Sequence, residues 1–276
     1  MSYEFAKKEI GEYRITVFQD EDAECPCSAW DLAGVYLWES SGYGGIGLSN
    51  YCNWEEIYDT CQHSLGSALC ELVYKYVPQD RLVKYLKSGK HSSMKLSYNR
   101  SSHVWELGYY RNSERCYVSG EFTPDEIKDF DMREEMINPM NREELIELLN
   151  DIAYDIVLYR WSSSGYSQGD YVEGIAYCTK ERFEKMVDKD TKDWKKRALA
   201  LFEDEVKSIG MWLWGDVKGY VLEKKRQFTK LYEDGETTKS YEWEEIDSCW
   251  GEYFKYADDL IEEVVKERGL QPKDAA

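Results

Sequence analysis

The sequence predicts an α+β fold in which antiparallel sheets are covered by helices. Short stretches that alternate apolar and polar residues, such as 13–18 and 217–223, are typical of antiparallel strands. Longer stretches with an apolar residue every three or four positions, such as 57–76, are typical of helices with one buried face. Asp234-Gly235 lies between two strand-like stretches and is a strong hairpin signal.

The first predicted half spans residues 1–140. Asn53 is the expected N-cap of its longest helix, and Val77-Pro78 ends that helix because a residue before proline disfavours helical geometry. Thr123 begins another helix, since a proline follows it and Glu126 completes a capping box. The other predicted elements are strands at 13–18, 32–38, 104–110 and 116–122 and helices at 54–77 and 81–87.

The second predicted half spans residues 141–276, and Asn141 is the expected start of its first helix. The further predicted elements are strands at 155–158, 172–178, 217–223 and 241–243 and helices within 179–209 and 252–268. Asp247–Gly251 is predicted to end the strand around 241–243. A single domain is the alternative to two halves, because both lengths suit a chain of 276 residues.

A nearly repeated motif occurs once in each half. Residues 36–43 and 159–166 share the pattern Tyr-x-Trp-x-Ser-Ser-Gly-Tyr, and both follow an apolar run. Each copy is predicted to be a strand that ends in a glycine-containing turn. The turns would place aromatic rings at one rim of a sheet. The predicted rim residues are Trp38, Tyr43, Trp161 and Tyr166. Internal duplication and independent use of the same strand-turn chemistry both explain the pattern.

Composition excludes several classes of protein. With 42% hydrophobic and 15% aromatic residues the chain can form a packed core, which excludes a disordered protein. A net charge of −19 repels phosphates, so we expect no direct binding to nucleic acid. The apolar runs are shorter than the roughly 20 residues of a membrane-spanning helix, and the first residues lack a signal-peptide pattern. We therefore expect a cytoplasmic protein without a membrane partner.

The sequence contains no recognisable catalytic or metal-binding motif. Cys25 and Cys27 have a one-residue spacer, which is too short for a zinc ribbon, and no second pair completes a site. The eight cysteines are expected to be reduced. No nucleophile elbow, phosphate-binding glycine loop or metalloprotease helix occurs. The prediction is a protein without catalytic residues, metal or cofactor.

Three motifs resemble a group of uncharacterised proteins encoded by phages and plasmids. They are Leu158–Gly165, with Tyr-x-x-x-Ser-Gly in the related group, then Gly215–Glu223 with Gly-Asp-Val-x-Gly-Tyr, and the terminal Asp247–Gly251 with Asp-Ser-Cys-Trp-Gly. The segment Cys-Pro-Trp-Asp-Ser of that group is missing here. The resemblance implies a mobile-element origin and a location in the cytoplasm of the host cell. It also implies action on host defence or on nucleic-acid enzymes.

Acidic residues are concentrated in blocks. Residues 233–263 carry twelve acids and only two bases, Lys239 and Lys255. Carboxylates spaced along a strand and a helix could imitate the phosphates of duplex DNA, which carries one charge per roughly 1.7 Å. The predicted acidic face consists of Glu242, Glu244, Glu245, Asp247, Asp258, Asp259, Glu262 and Glu263. A solvated face without a binding role is the simpler interpretation.

The leading hypothesis is a non-enzymatic protein that inhibits a basic host protein, in the manner of anti-restriction or anti-CRISPR proteins. The partner would be a nucleic-acid-binding or defence protein. A hydrolase or carbohydrate-binding protein that uses the aromatic rim and paired carboxylates is the first alternative. A regulatory or structural interaction module is the second.

Overall fold

The computed structural model describes residues 3–40, 64–89, 93–111, 114–166, 171–187, 192–233 and 236–270. Its architecture is α+β with antiparallel sheets, which confirms the predicted fold class. The strands are β1 (Glu4–Ile10), β2 (Tyr13–Gln19), β3 (Val35–Ser40), β4 (Met94–Asn99), β5 (Val104–Arg111), β6 (Glu114–Phe122), β7 (Ile156–Ser164), β8 (Tyr171–Thr179), β9 (Val217–Leu231) and β10 (Thr237–Tyr253). The helices are α1 (Pro26–Ala29), α2 (Leu65–Tyr76), α3 (Gln79–Ser88), α4 (Pro124–Asp129), α5 (Arg133–Ile137), α6 (Arg142–Ile152), α7 (Lys180–Met186), α8 (Trp194–Leu213) and α9 (Ala257–Glu267).

The chain divides into two compact units that are not its two consecutive halves. One unit contains Met1–Ala29 and Lys207–Ala276, and the other contains Trp30–Val206. The predicted boundary at residue 140 differs from this division because strands from opposite ends of the chain share a sheet. β2 pairs with β9 along its whole length, and β3 pairs with β8.

The central sheet of the unit Trp30–Val206 has the strand order β3-β8-β7. The strand portions of the repeated motif lie on either side of β8 and meet the same residues of it. Tyr36 and Tyr159 both pair with Ala176, while Trp38 and Trp161 both pair with Gly174. The likeness of the two segments thus corresponds to equivalent positions beside one strand.

Gly174 provides the space in which the two indole rings meet. A Cβ atom at this position would lie 2.4 Å from Cε2 of Trp161, closer than side-chain carbons approach one another. The rings of Trp38 and Trp161 pack edge to face, with centroids 6.0 Å apart. Both side chains are buried, with 1% and 5% exposure. The absence of a side chain in β8 therefore allows this part of the core to form.

Helix α8 packs on the same face of this sheet. The ring of Phe202 contacts Tyr36 and Tyr159, with centroid distances of 6.1 and 6.4 Å. Glu205 accepts hydrogen bonds from the Ala33 amide, at 2.8 Å, and from the Tyr36 hydroxyl. Burial raises the pKa of the Glu205 carboxyl above its ordinary value. The polar contacts thus hold α8 at the beginning of β3.

Helices α2 and α6 pack together, and α6 also packs on β7. The expected helix starts at Thr123 and Asn141 are confirmed, since each forms a capping box with the glutamate three residues later. The sheet β4-β5-β6 belongs to the same unit, and α3 packs against its first strand. The predicted pairing of 104–110 with 116–122 is confirmed by β5 and β6.

The other unit is a four-stranded sheet, β1-β2-β9-β10, with α9 on one face. Its core is formed by alternate residues of the strands and by the apolar side of the helix. The buried cluster consists of Ile10, Ile15, Val17, Tyr220, Leu222, Leu260, Ile261 and Val264. The alternation of 13–18 and 217–223, which predicted strands, reflects this one buried face.

Some predicted boundaries are wrong. Asp247–Gly251 does not end a strand but lies inside β10. Irregular pairing with β9 and a φ of +81° at Gly251 accommodate the additional residues that β10 has relative to β9 in this region. The last helix begins at Ala257 rather than at 252. Strands β1 and β4 were not predicted. The helix predicted at 54–77 is not continuous, because α2 begins at Leu65 and Ser64 is its N-cap. The expected N-cap Asn53, residues 54–63 and the turn Asp234-Gly235 lie outside the described residues.

Substitution of Gly174 tests the packing of the two indoles. Gly174→Ala should lower the free energy of unfolding by roughly 1–3 kcal/mol, because the new methyl group must displace Trp161. Gly66→Ala is the matched control, since its Cβ would approach no atom closer than 3.6 Å and alanine favours a helix. Urea denaturation measures both. Equal stability of the two variants would contradict the packing described.

Candidate functional site

The acidic strand β10 lies beside a strand that carries positive charge. β9 has three consecutive cations at 224–226, and their partners in the antiparallel register are residues 242–244 of β10. Arg226 forms an ion pair with Glu244. Part of the acidic block that the sequence presents is therefore compensated by its neighbouring strand. Opposite charges directly across a strand pair stabilise the pairing.

The four carboxylates predicted on β10 do not share one face of the sheet. Glu242 and Glu244 occupy alternate positions and lie on the same face. Glu245 follows directly and lies on the opposite face. A β-bulge then returns Asp247 to the first face, where it is paired with Leu222. Local sequence spacing could not reveal this, because the bulge changes the alternation.

Asp247 has a structural role within its unit. Its carboxylate accepts a hydrogen bond from the Tyr220 hydroxyl at 3.0 Å and forms an ion pair with Arg268, just after α9. Burial is the main cause of the raised pKa of Tyr220. These contacts connect the edge strand to the end of the helix. They account for an aspartate at position 247 by its contacts within the unit, so no binding function is required to explain it.

Three of the four predicted acids of α9 lie on its exposed side. Asp258, Asp259 and Glu262 are exposed, while Glu263 is half-buried and pairs with Lys266 at 3.3 Å. Asp258 and Asp259 lie in the first turn of the helix, where negative charge stabilises the exposed amide groups. The N-cap residue makes no side-chain capping bond, so these two carboxylates also have a structural purpose.

The eight predicted acids thus fall into two groups. Three of them take part in ion pairs, namely Glu244, Asp247 and Glu263. The other five form no ion pair within the described ranges; they are Glu242, Glu245, Asp258, Asp259 and Glu262. A single continuous acidic face is therefore not what the fold presents.

The predicted aromatic rim is also revised. Trp38 and Trp161 are buried, so their rings belong to the core and not to a contact surface. Tyr166 is 67% exposed. Tyr43 lies outside the described residues. Apolar runs that precede both rings favoured strands, but strand alternation alone cannot tell which face of a covered sheet is buried.

Two of the motifs singled out in the sequence meet in the fold. Gly219, from Gly-Asp-Val-x-Gly-Tyr, lies directly under the ring of Trp250, from Asp-Ser-Cys-Trp-Gly, and a Cβ at 219 would lie 2.2 Å from that ring. The same ring stacks on Phe18, with centroids 6.2 Å apart. The pairing of a glycine with a tryptophan across strands is thus a packing requirement.

Sequence reasoning missed the long ribbon at the end of the β9–β10 hairpin. β2 pairs with β9 only as far as Lys224, so beyond it the two strands continue without a third strand in the described residues. On one face the guanidinium of Arg14 lies 4.6 Å from the Trp243 ring centre, and the ammonium of Lys225 lies 4.9 Å from that of Tyr241. The Asp234-Gly235 dipeptide was the available signal, because a two-residue hairpin turn is flanked directly by paired strands.

A cavity of about 820 Å³ lies among α2, α5 and the start of α6. Three carboxylates line it, from Glu71, Glu134 and Glu143, together with the ring of Tyr74. Arg142 also lines it and pairs with Glu39 at 2.8 Å. Its volume is within the usual range for small-molecule sites. In the described parts of the chain, no three His, Cys, Asp or Glu side chains are placed closely enough together to hold a metal ion, and this includes the carboxylates of the cavity.

Comparison with known proteins finds no matching family model, curated protein or solved structure. The resemblance to phage- and plasmid-encoded proteins therefore stays a prediction. Among the described helices, none combines the length and apolar character required to cross a membrane.

Neutralising the carboxylates in the first turn of α9 tests whether they stabilise the helix. Asp258→Asn and Asp259→Asn should each lower the free energy of unfolding by roughly 0.3–1 kcal/mol at low ionic strength, with a smaller effect in high salt. Glu262→Gln, which lies further along the helix, should leave stability unchanged. Thermal and urea denaturation of the three variants provide the measurement. A larger loss for Glu262→Gln would contradict the assigned roles.

Proposed function

We propose that this chain is a non-enzymatic acidic binding protein whose partner is a basic protein. The observation that carries the proposal is the exposure of Asp258, Asp259 and Glu262 on the outer side of α9, without ion-pair partners in the described ranges. Unpaired carboxylates on a helix whose other side is buried form a rigid acidic surface. A net charge of −19 would further attract a basic partner.

The partner is a nucleic-acid-binding or defence protein of a host cell, and the effect is inhibition. This part of the proposal rests on the resemblance to phage- and plasmid-encoded proteins and on charge. A channel that binds DNA is lined with lysine and arginine, which donate hydrogen bonds to carboxylates as they do to phosphates. Occupation of such a channel excludes DNA without any chemical reaction. Compensation on β10 leaves α9 as the main part of the DNA-like surface.

The proposal predicts a charge-dependent complex. Purified protein should retain basic nucleic-acid-binding proteins from a bacterial lysate at low salt, lose them as salt rises, and release them to short duplex DNA. The triple variant D258N/D259N/E262Q should bind the retained protein roughly tenfold more weakly, which corresponds to about 1.4 kcal/mol. Isothermal calorimetry with that protein measures the change.

The matched control carries the same change of net charge in the other unit. E121Q/E135Q/E203Q removes three exposed carboxylates that form no ion pair among the described residues, and it should bind as the unmodified protein does. Equal loss in both triple variants would reduce the effect to net charge and remove α9 from the proposal. Failure to retain any basic protein at low salt would overturn the proposed function.

One observation favours a second candidate, a carbohydrate-binding protein or hydrolase. The cavity lined by Glu71, Glu134 and Glu143 combines carboxylates with the ring of Tyr74, a set that can hydrogen-bond and contact a sugar. For hydrolysis, two of the carboxyl groups would have to act as acid and base.

Ligand-observed NMR with a panel of oligosaccharides tests the second candidate. Saturation transfer should be seen with the unmodified protein and should disappear in E71Q/E134Q, whereas E121Q/E203Q retains it because neither residue lines the cavity. If no oligosaccharide shows transfer, or if both double variants behave alike, the cavity is not a sugar site.

A further inference from the structure

The outer edge of β10 is an unusually long free strand edge. β10 is the last strand in the order β1-β2-β9-β10, and in the described part of the chain it pairs only with β9. Its 17 residues correspond to about 55 Å at a rise of roughly 3.3 Å per residue. The backbone amide and carbonyl groups on the outer side of such a strand are a template for another strand.

The first part of this edge is regular. From Thr237 to Glu245 the register with β9 proceeds without a shift, and the first irregularity falls between Glu245 and Asp247. This irregularity and a second one between Cys249 and Glu252 bend the strand, which hinders addition of a further strand there. The segment Thr237–Glu245 is therefore the portion that can accept a straight partner strand.

The side chains of Thr237–Glu245 specify what that partner should carry. Glu242 and Glu244 lie on one face, while Tyr241 and Trp243 lie on the other, and Tyr241 is 57% exposed. A neighbouring strand would place its own residues opposite these on both faces. Basic residues suit both positions, because they pair with the carboxylates and stack on the rings.

β9 already shows this recognition from the inner side of β10. Its Arg226 pairs with Glu244, and the ammonium of its Lys225 lies 4.9 and 5.8 Å from the ring centres of Tyr241 and Trp243. On the outer side, Glu242 forms no ion pair in the described ranges and Tyr241 is exposed, so both can contact a second basic neighbour. The outer partner should thus resemble β9 in its charge pattern.

A second copy of this chain is a poor occupant of the same edge. Antiparallel pairing of Thr237–Glu245 with its own copy would place Ser240 opposite Glu242 and Thr238 opposite Glu244, so a second copy supplies no cation to these carboxylates. The opposite edge of the sheet, β1, carries Glu4 and Glu9 as well as Lys7 and Lys8, so it lacks a basic pattern. Charge complementarity therefore favours a different protein.

We propose that the edge Thr237–Glu245 binds an extended, basic segment of a partner protein by addition of a strand to the sheet. The inference rests on the proposed function and deepens it, since it states how the basic partner is held. Main-chain hydrogen bonds supply affinity, and lysine or arginine side chains opposite the carboxylates and the rings supply specificity. α9 then contributes long-range attraction.

Three synthetic nine-residue peptides test the mode of binding. The first alternates lysine and arginine with valine and threonine. The second has the same sequence with every second amide methylated on the edge that would face β10, which removes hydrogen bonds but keeps the charge. The third replaces the basic residues with glutamate. The first peptide should bind and slow amide hydrogen exchange across residues 237–245, whereas the other two should bind at least roughly tenfold more weakly.

Variants of the protein locate the contact. E242Q/E244Q should weaken binding of the first peptide roughly tenfold, while E121Q/E135Q, with the same change of charge, should not. Circular dichroism and unchanged exchange in β2 confirm that the sheet is intact. If the methylated peptide binds as well as the first, or if exchange slows only in α9, strand addition is overturned although the acidic binding function stands.

Two further outcomes are distinguishable. Concentration-dependent self-association that is displaced by the first peptide would assign the edge to a second copy and overturn the inference. Retention of a basic host protein without any peptide binding would do the same and leave the proposed function intact. Absence of both peptide and protein binding would overturn the two proposals together.

Discussion

The contact of Trp38 and Trp161 above Gly174 is the constraint on which the larger unit depends. A side chain at position 174 would occupy the space of the Trp161 ring. The two outer strands of the sheet can therefore bury their indoles only because the middle strand has a glycine at this position. The same register aligns Tyr36 and Tyr159, on which Phe202 of α8 packs. The repeated Tyr-x-Trp pattern therefore coincides with equivalent packing positions on either side of one strand.

The distribution of charge along the sequence differs from its distribution in the folded chain. The block 233–263 is strongly acidic by sequence, yet residues 242–244 of its strand lie opposite 224–226, which are all basic. Part of the negative charge of β10 is thus neutralised by cations of β9, and these cross-strand contacts stabilise the β9–β10 hairpin. What stays accessible is a helix surface and the outer edge of β10. The proposed binding function depends on these two accessible surfaces.

Features governed by neighbours in sequence were predictable. Local patterns predicted the capping boxes at Thr123 and Asn141 and the strands 13–18 and 104–110, and the structure has these strands as β2 and β5. Pairings between distant residues were not, since nothing local states that β2 pairs with β9. The candidate site was predicted in composition only. Which carboxylates are free depends on the bulge before Asp247 and on the strand that lies opposite.

The arrangement of the units has a consequence for biosynthesis. Trp30–Val206 is inserted within the sequence of the other unit and is synthesised completely before β9, whereas β1 and β2 wait for strands made about 200 residues later. During that interval the edge of β2 that later binds β9 lacks its native neighbour. Slow closure of such distant pairs is expected to govern the rate of maturation. In a truncated chain that ends before β9, this edge of β2 should stay unpaired and bind chaperones.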